Sequence, residues 1–259
     1  MSIPKVIHYV WVGGKPLPPF QKKCVESWKK YLPDYKIIEW NENNFDINHN
    51  LYCRQAYEDK KYAFVSDYIR IYVLYHYGGI YMDTDVEVIQ PFAEEFLECE
   101  AFSGYETPNT IPTGIMGSIP GQRMFGEILD FYENASFVNE DGSRNIITNV
   151  YTITMIAKKN GFIPDNAKKS VLGLTLYPQT YFCPLSHDSE ESFFSENTYA
   201  IHHFSGTWCD LKTKFVGKWN KSLHSKAKRV LGKTGADFFY RIVYNLMRFL
   251  DFMKGKLGK

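Results

Sequence analysis

Apolar and aromatic residues dominate one stretch of the chain, from Ala63 to Tyr77, and Gly78-Gly79 then interrupt it. This pattern predicts a helix of about four turns that ends at a glycine cap. Because nearly every side of this helix is apolar, we expect it to be buried. Ile80-Tyr81-Met82 follows as a short buried strand and leads directly into Asp83-Thr84-Asp85.

The rest of the hydrophobic pattern alternates between short strands and amphipathic helices. It predicts strands at 3–12, 36–40, 86–89, 101–105 and 115–118, and helices at 18–31, 49–57, 121–134 and 150–160. This alternation indicates an α/β fold, a mixed and mostly parallel sheet flanked by helices. Without repeats or an interior linker, residues 1–210 are predicted to form one domain, followed by a helical tail at 211–259.

Asp83 and Asp85 form the first candidate for chemistry. Two positions apart on an extended segment, their carboxylates point to one side, which in an open α/β sheet borders the ligand crevice. Paired carboxylates repel each other unless a cation lies between them. Oxygen ligands suit Mg²⁺ or Mn²⁺, with diphosphate oxygens completing the coordination. We interpret the pair as a D-x-D motif for a metal–nucleotide complex.

The context of this motif decides how much weight it carries. Alone, a D-x-D is weak, because it occurs by chance in many solvated surface turns. Here apolar strands precede and follow it, and the buried helix before it carries Asp67 and Arg70 on one face. A structural ion pair is the alternative for Asp67 and Arg70.

Two runs of sequence resemble one family. The run S-D-x-x-R-x-x-x-L-x-x-x-G-G-x-Y-x-D-x-D, Ser66 to Asp85, resembles the signature of glycosyltransferase family 32. The opening I-P-K-V-I-H-Y-V-W-V-G-G, Ile3 to Gly14, is similar to its first strand and nucleotide loop. The family includes bacterial capsular and surface polysaccharide transferases and fungal initiating mannosyltransferases, and large glucosylating toxins carry a similar core. The resemblance implies a Rossmann-like GT-A catalytic domain over residues 1–210.

At the amino-terminal end, the resemblance implies a nucleotide site. Trp11 is expected to stack on uracil or another donor base, with Val10 and Gly13 beside it. Backbone amides of the Gly13-Gly14 turn would lie near a phosphate. From the residues alone, a core tryptophan at the end of a strand is an equal alternative for Trp11.

A second informative segment is Tyr199 to Asp210, with the sequence YAIHHFSGTWCD. Two aspartates supply too few ligands for an octahedral cation, so a further ligand is expected from a distant loop. The resemblance implies that His202, His203 or Ser205 completes the metal shell, and that Ser205 and Trp208 help to bind the donor diphosphate.

The choice between the two histidines depends on the strand register. Tyr199, Ile201 and His203 share one face of the predicted strand, and Ala200 and His202 share the other. We prefer His203 as the metal ligand. The alternative is that both histidines are ordinary loop residues.

The resemblance also assigns roles around the donor sugar. Asp85 is expected to ligate the metal directly, and Asp83 to bind it through water or to hold donor hydroxyls. Asp67 and Arg70 are expected to bind hydroxyls of the donor sugar. Tyr81 alternates onto the same face as Asp83 and is expected to reach the leaving phosphate.

The family resemblance implies a metal-dependent, retaining transfer of a hexose, with a UDP-sugar favoured as donor and Mn²⁺ or Mg²⁺ as cofactor. Since no carboxylate stands out as a covalent nucleophile, we expect a front-face displacement through a short-lived oxocarbenium ion. Asn149 is expected near the reacting carbon. It lies in a Thr-Asn step, where many relatives have a Thr-Gly-Pro-like step.

Charge is distributed unevenly along the chain. From Cys209 to Lys259, 13 Lys and Arg stand against 3 Asp and Glu, a net +10, so a total of +1 leaves −9 for the rest. Within this tail, 237–254 predicts a helix with a broad apolar side and basic flanks, typical of an interfacial helix on an anionic membrane. The alternative is a helix packed on the body or on a second copy. The acidic body and the lack of a reader motif argue against nucleic acid.

The sequence also bears on location. Five cysteines without paired spacing favour reduced thiols, and there is no signal sequence or apolar run of about 18 residues. We expect a cytoplasmic protein, peripheral on the inner face of the membrane, that acts on a lipid-linked glycan in capsule or other polysaccharide biosynthesis.

The sequence is also compatible with other functions. A metal-dependent phosphohydrolase would need more clustered carboxylates or histidines near a second metal. A non-catalytic sugar-nucleotide-binding protein and a transferase that acts on a protein acceptor are the further alternatives. The sequence does not specify the sugar, the acceptor, the linkage or the oligomeric state.

Overall fold

The fold is taken from a computed structural model, which describes residues 2–186, 191–206 and 235. The nine strands in this part of the chain are β1 (Val6–Val10), β2 (Lys36–Trp40), β3 (Gly79–Met82), β4 (Val86–Val88), β5 (Ala101–Gly104), β6 (Ile115–Ser118), β7 (Lys169–Val171), β8 (Leu174–Tyr177) and β9 (Ala200–His202). The α-helices here are α1 (Pro19–Tyr31), α2 (Leu51–Glu58), α3 (Tyr62–Tyr77), α4 (Glu95–Glu98), α5 (Arg123–Glu133) and α6 (Asn149–Lys159).

Seven strands form one sheet in the order β2-β1-β3-β6-β5-β8-β7. The pairings make β2, β1, β3, β5 and β8 run in one direction, with β6 and β7 opposed to them. This architecture confirms the predicted α/β class with a mostly parallel sheet. The antiparallel pair of β4 and β9 forms a second, small sheet directly after β3.

Hydrophobic side chains cover both faces of the large sheet. One cluster joins α2, α3, α5 and α6 to the sheet, and the other contains residues of α1 and α4. The nearly all-apolar α3 is buried along most of its length, as its composition predicts. None of the helices in the described residues has the length and hydropathy of a membrane span.

The break between α3 and β3 positions everything that follows. Gly78 has a φ of 65° and its amide donates to Leu74 O at 3.1 Å, which ends the helix. Gly79 has a φ of 96°, and a side chain there would meet Val6 O at 2.6 Å. Only glycine fits this passage, so β3 enters the sheet beside β1 at a fixed register.

Several predicted boundaries differ from the structure. The first strand covers only Val6–Val10 of the predicted residues 3–12, and α2 begins at Leu51 rather than residue 49. Asn50 causes the latter shift, because its side-chain oxygen accepts from Cys53 N at 3.1 Å and caps α2 there. The hairpin of β7 and β8 was not predicted. The predicted tail at 211–259 lies outside the described residues except for Gly235.

Candidate functional site

The candidate site lies where the two sheets meet. Asp83 and Asp85 are in the tight turn between β3 and β4, and His202 ends β9. The register pairs His202 with Val86, next to Asp85. One ligand atom from each of Asp83, Asp85 and His202 lies within 4.8 Å of the other two. Three potential metal ligands therefore converge at the carboxyl end of β3.

Asp85 and His202 form a charged pair. His202 Nε2 is 3.4 Å from Asp85 Oδ1, and Ser205 N donates to Asp85 Oδ2 at 2.7 Å. Burial raises the pKa of Asp85, but His202 and hydrogen bonds from Ser205 outweigh it and hold that pKa well below its usual range. Burial lowers the pKa of His202, and the Asp85 charge more than reverses this, so the imidazole is protonated well above its ordinary pKa.

The residues of this cluster fit a divalent cation. Two carboxylates and one imidazole nitrogen can all ligate once the imidazole is neutral. A nitrogen ligand among carboxylates suits a transition metal such as Mn²⁺ better than Mg²⁺. The cation would replace the positive charge that the His202 proton supplies between the two aspartates.

The expected placement of His203 against the aspartates is wrong. His203 Nε2 lies 2.9 Å from Glu87 Oε2, and its ring contacts Phe20 edge-on. It is His202 that turns inward, because Ala200 and His202 share the buried face of β9. Ser205 does lie beside Asp85, as the ligand set derived from the resemblance requires.

Arg70 forms ion pairs with the carboxylates of Asp67 and Asp83. The guanidinium is 4 % exposed, and its Nη2 lies 3.1 Å from Asp67 Oδ1 and 3.3 Å from Asp83 Oδ1. Its remaining contacts are with Ser66 O and Oγ, Thr113 O and Oγ1, and the face of the Tyr81 ring. Every nitrogen of the Arg70 guanidinium therefore contacts the protein. This arrangement corresponds to the structural ion pair with Asp67 that is the alternative interpretation of the sequence. The expected contact of Arg70 with donor hydroxyls remains a prediction.

Asp83 is held from a second direction. Tyr81 OH donates to Asp83 Oδ1 at 2.8 Å, in agreement with the shared strand face. The Asp83 amide donates to Gly114 O at 2.8 Å. These contacts leave the Asp83 carboxylate oriented but a quarter exposed, so it can still reach a ligand. Whether Tyr81 also reaches a phosphate remains a prediction.

Asp67 and Asn149 are joined at the start of α6. Asn149 N lies 3.4 Å from Asp67 Oδ2, and Asn149 Nδ2 donates to Asp67 O at 2.8 Å. Tyr132 OH donates to the remaining oxygen of the Asn149 amide. Burial raises the pKa of Asp67 to about 6, against the lowering effect of Arg70. The side chain of Asn149 is thus engaged by the protein, and its expected position near a reacting carbon remains a prediction.

The predicted nucleotide residues lie at the carboxyl ends of β1 and β2. Trp11 lines a pocket of about 350 Å³ together with Gly14, Lys15, Pro16, Glu39, Asn41, Glu42 and Asn43. Gly13 N donates to Glu42 Oε1 at 2.6 Å, so this amide faces a carboxylate rather than a phosphate. The pocket therefore suits the N–H and O–H donors of a base or ribose. Val10 is buried in the core behind it, and Trp208 lies outside the described residues.

Sequence reasoning missed three contacts in this site. Thr113 accepts from Arg70, and Gly114 passes so close to the cluster that a side chain there would meet His202 Cε1 at 2.8 Å. A glycine directly before the predicted strand at 115–118 was the available signal, since such glycines often mark a close approach of two chain segments. A third missed contact, from Gln21 Nε2 to Ser205 Oγ at 3.1 Å, gave no signal within an amphipathic helix.

Comparison with known families finds one match. Residues 18–103, which contain α1 to β5, match the family described as a glycosyltransferase sugar-binding region containing a DXD motif. The matched range includes Asp83 and Asp85, and it confirms the resemblance carried by Ser66 to Asp85.

Three relatives illustrate the range of similar proteins. A 171-residue alignment is 26 % identical to subversion of eukaryotic traffic protein A of Legionella pneumophila, covering 54 % of this chain and 26 % of the relative. The mannosyl phosphorylinositol ceramide synthase SUR1 of Saccharomyces cerevisiae is 29 % identical, with 48 % and 33 % covered. An uncharacterized glycosyltransferase, L373, of Acanthamoeba polyphaga mimivirus is 25 % identical, with 80 % and 84 % covered. The chain thus spans only a quarter to a third of the length of the first two relatives.

Proposed function

We propose that this chain, whose residues 18–103 match a glycosyltransferase sugar-binding region containing a DXD motif, is a metal-dependent glycosyltransferase. In this proposal it moves a hexose from a nucleotide sugar to a hydroxyl of a glycan acceptor. The observation that carries the proposal is the convergence of Asp83, Asp85 and His202 within 4.8 Å of one another at the carboxyl end of β3. This is the edge of an α/β sheet where ligands bind.

Asp85 and His202 would be the direct protein ligands of the cation, with Ser205 close enough to join them. A bound Mn²⁺ would supply Lewis-acid neutralisation of the diphosphate leaving group. Asp83, oriented by Tyr81 and Arg70, would bind the metal through water or accept from hydroxyls of the donor. His202 must give up its proton when it becomes a ligand, so metal affinity should rise with pH.

The donor sugar would lie above Asp67 and Asp83. Arg70 holds the two carboxylates in fixed orientation, which reduces the reorganisation needed when the donor binds. The ionised form of Asp67 would accept from a sugar hydroxyl. Since no carboxylate of the cluster is free of the metal or of Arg70, a front-face, retaining displacement fits these residues better than a covalent glycosyl-enzyme.

The pocket beside Trp11 would take the nucleoside. Glu42 and Asn43 offer acceptors for ribose hydroxyls, and the indole of Trp11 offers an apolar face for a base. A uracil nucleotide, small enough to stack there, is the favoured donor. Trp11→Ala should therefore raise the donor KM by about 10-fold while kcat changes less.

The acceptor is proposed to be a lipid-linked glycan on the inner face of the cell membrane. The yeast relative is named for a ceramide product, and the basic composition of residues 211–259 suits an anionic membrane surface. Transfer of the sugar to a lipid-linked acceptor, rather than to a soluble protein, with release of the nucleotide diphosphate, is the outcome that this part of the proposal requires.

The experiment is nucleotide release from a panel of UDP- and GDP-sugars, with Mn²⁺ or with chelator. Wild type is compared with Asp85→Asn and with Asp165→Asn, a control that alters an exposed surface ion pair to Lys169. We expect one donor to be hydrolysed only with metal, by wild type and the control but not by Asp85→Asn. Binding of a donor without turnover would instead indicate a non-catalytic sugar-nucleotide-binding protein, and absence of both would overturn the proposal.

A further inference from the structure

The amino-terminal turn of α1 contacts the segment that carries Ser205, far from it in sequence. We propose that Gln21 is a positioning residue for the metal site, acting through Ser205 on Asp85. The inference rests on the proposed metal-dependent function, and it goes beyond it by adding a part of the chain that supplies no ligand.

Gln21 is two hydrogen bonds away from Asp85. Its side chain is 3 % exposed, and its Nε2 donates to Ser205 Oγ at 3.1 Å across 184 residues of chain. The Ser205 amide donates to Asp85 Oδ2 at 2.7 Å, and the Ser205 hydroxyl also contributes to the lowered pKa of Asp85. Because Gln21 occupies one acceptor position of the Ser205 oxygen, it limits how that hydroxyl can rotate.

The neighbouring residue of α1 holds the same segment. The ring of Phe20 packs edge-on against His203, with ring centroids 5.0 Å apart. Glu87 fixes the other side of His203 at 2.9 Å. Between the two anchored residues, Phe204 has a φ of 50°, a left-handed conformation that a bulky side chain adopts only when its surroundings impose it.

The rest of α1 is fastened to the strand that follows Asp85. Trp28 Nε1 donates to Val86 O at 2.7 Å, and Val88 N donates to Ser27 Oγ at 2.9 Å. One rigid helix therefore contacts both chain segments that supply the metal ligands, β4 after Asp85 and the residues after His202. Its two ends fix the separation of those segments.

The hydrogen bond from Gln21 orders part of the metal site before a cation binds. Residues that orient metal ligands typically change affinity by about 10-fold to 100-fold when they are removed. Gln21 orients Ser205, and the backbone amide of Ser205 in turn orients Asp85. Without this hydrogen bond, the segment 203–206 would have to be ordered by the metal itself, and part of the binding free energy would be spent on that ordering.

The test is a Mn²⁺ titration of the full chain, followed by the electron paramagnetic resonance signal of free Mn²⁺. Gln21→Met keeps the length of the side chain and removes its donor. We expect its Kd for Mn²⁺ to rise by about 10-fold. The matched control is Gln122→Met, because Gln122 is also 3 % exposed but caps α5 and bonds to Leu172 O. Its Kd should stay within about twofold of wild type.

A double-mutant comparison separates positioning from general destabilisation. If Gln21 acts through Ser205, Gln21→Met should add nothing to the change in Kd that Ser205→Ala produces. A double variant whose change in binding free energy for Mn²⁺ is the sum of the two single changes would overturn the inference. A Gln21→Met variant that binds Mn²⁺ like wild type would overturn it as well. Gln21→Asn, which keeps the amide and shortens its reach, replaces Gln21→Met if that variant fails to fold, with the same expected rise in Kd.

A metal-independent readout distinguishes this inference from the proposed function. Amide hydrogen exchange of a peptide covering 200–206 should be faster in Gln21→Met than in wild type without any metal. Wild type that binds no Mn²⁺ and turns over no donor would overturn the proposed function and this inference with it. Wild type that does both, with unchanged exchange and Kd in Gln21→Met, would overturn the inference alone.

Discussion

Two buried histidines lie in the strands of this protein, and their surroundings make them chemically opposite. His8, 1 % exposed in β1, accepts from Trp40 Nε1 on Nδ1 at 3.0 Å and donates from Nε2 to Gly78 O at 2.9 Å. His202, 9 % exposed at the end of β9, faces the carboxylates of Asp83 and Asp85. One is a neutral link within the fold, and the other carries charge in the candidate site.

The difference shows that burial alone does not decide the charge of a histidine. Burial lowers the pKa of His8 to about 4, because its partners are an indole and a carbonyl and neither stabilises the imidazolium enough. At His202 the same burial penalty is outweighed by Asp85, and the pKa moves upward.

Arg70→Met should destabilise the protein more than any other substitution considered for this contrast. It leaves the buried Asp67 and the partly exposed Asp83 without their cation, so the free energy of unfolding should fall by about 3–5 kcal/mol. Urea denaturation at pH 7 measures this. Arg123→Met, which removes an exposed pair with Glu127, is the control and should change stability by less than about 1 kcal/mol. A similar small loss for both variants would contradict a buried charge network.

Asp85→Asn should make His202 resemble His8. Without the carboxylate, burial dominates and the pKa of His202 should drop below its ordinary value of about 6.5. Affinity for Mn²⁺ should fall by at least about 100-fold, since a direct ligand is lost. NMR titration of the histidine ring protons and a Mn²⁺ titration provide the two measurements. If the pKa of His202 stayed high, its charge would have to come from elsewhere.

His8→Gln should remove one source of acid sensitivity. The unfolded chain takes up a proton near pH 6.5 and folded His8 only near pH 4, so this residue stabilises the fold above pH 6.5 and loses that contribution as pH falls toward 4. Between pH 7 and pH 5 the loss amounts to about 2 kcal/mol. Glutamine keeps a donor to Gly78 O without titrating, so the difference in unfolding free energy between the variant and wild type should change by that amount. A constant difference would show that His8 does not titrate as described.

Trp40→Phe changes the surroundings of the neutral His8 and should have the smallest effect on stability. It keeps an aromatic ring stacked near Tyr77 but leaves Nδ1 of His8 without its donor, at a cost of about 1 kcal/mol in unfolding free energy. Its donor-hydrolysis rate with Mn²⁺ should remain like that of wild type. A large loss of activity would mean that the His8 region is coupled to the site.

The sequence predicted the central part of the fold because the signals there are local. The apolar run and its glycine cap gave α3 within one residue, and β2 and β6 match the predicted bounds. The hairpin of β7 and β8 escaped prediction because its turn is Leu172-Gly173, with φ values of 50° and 78°. Such a turn is ordinarily signalled by Asn-Gly or Asp-Gly, and leucine in its first position carries no signal.

Only the part of the site that lies within one chain segment could be predicted from the sequence. The spacing of Asp83 and Asp85 and the i,i+3 pair of Asp67 and Arg70 are properties of one segment. The choice of His202 over His203 depends on how β9 pairs with β4, which no local pattern specifies. The contact between Gln21 and Ser205 depends on that pairing as well, so it could be found only from the folded chain.

The turn that joins the large sheet to the small one also sets an order of events during synthesis. Asp85 bonds to Ser205 across 120 residues, whereas the strands β1, β2 and β3 can pair as soon as the first part of the chain is made. Closing so long a loop is entropically costly and comes late. A growing chain can thus pair its first strands while Asp85 still lacks the partner that Ser205 supplies, so under the proposed function the cation site would be completed only after the sheet has begun to form.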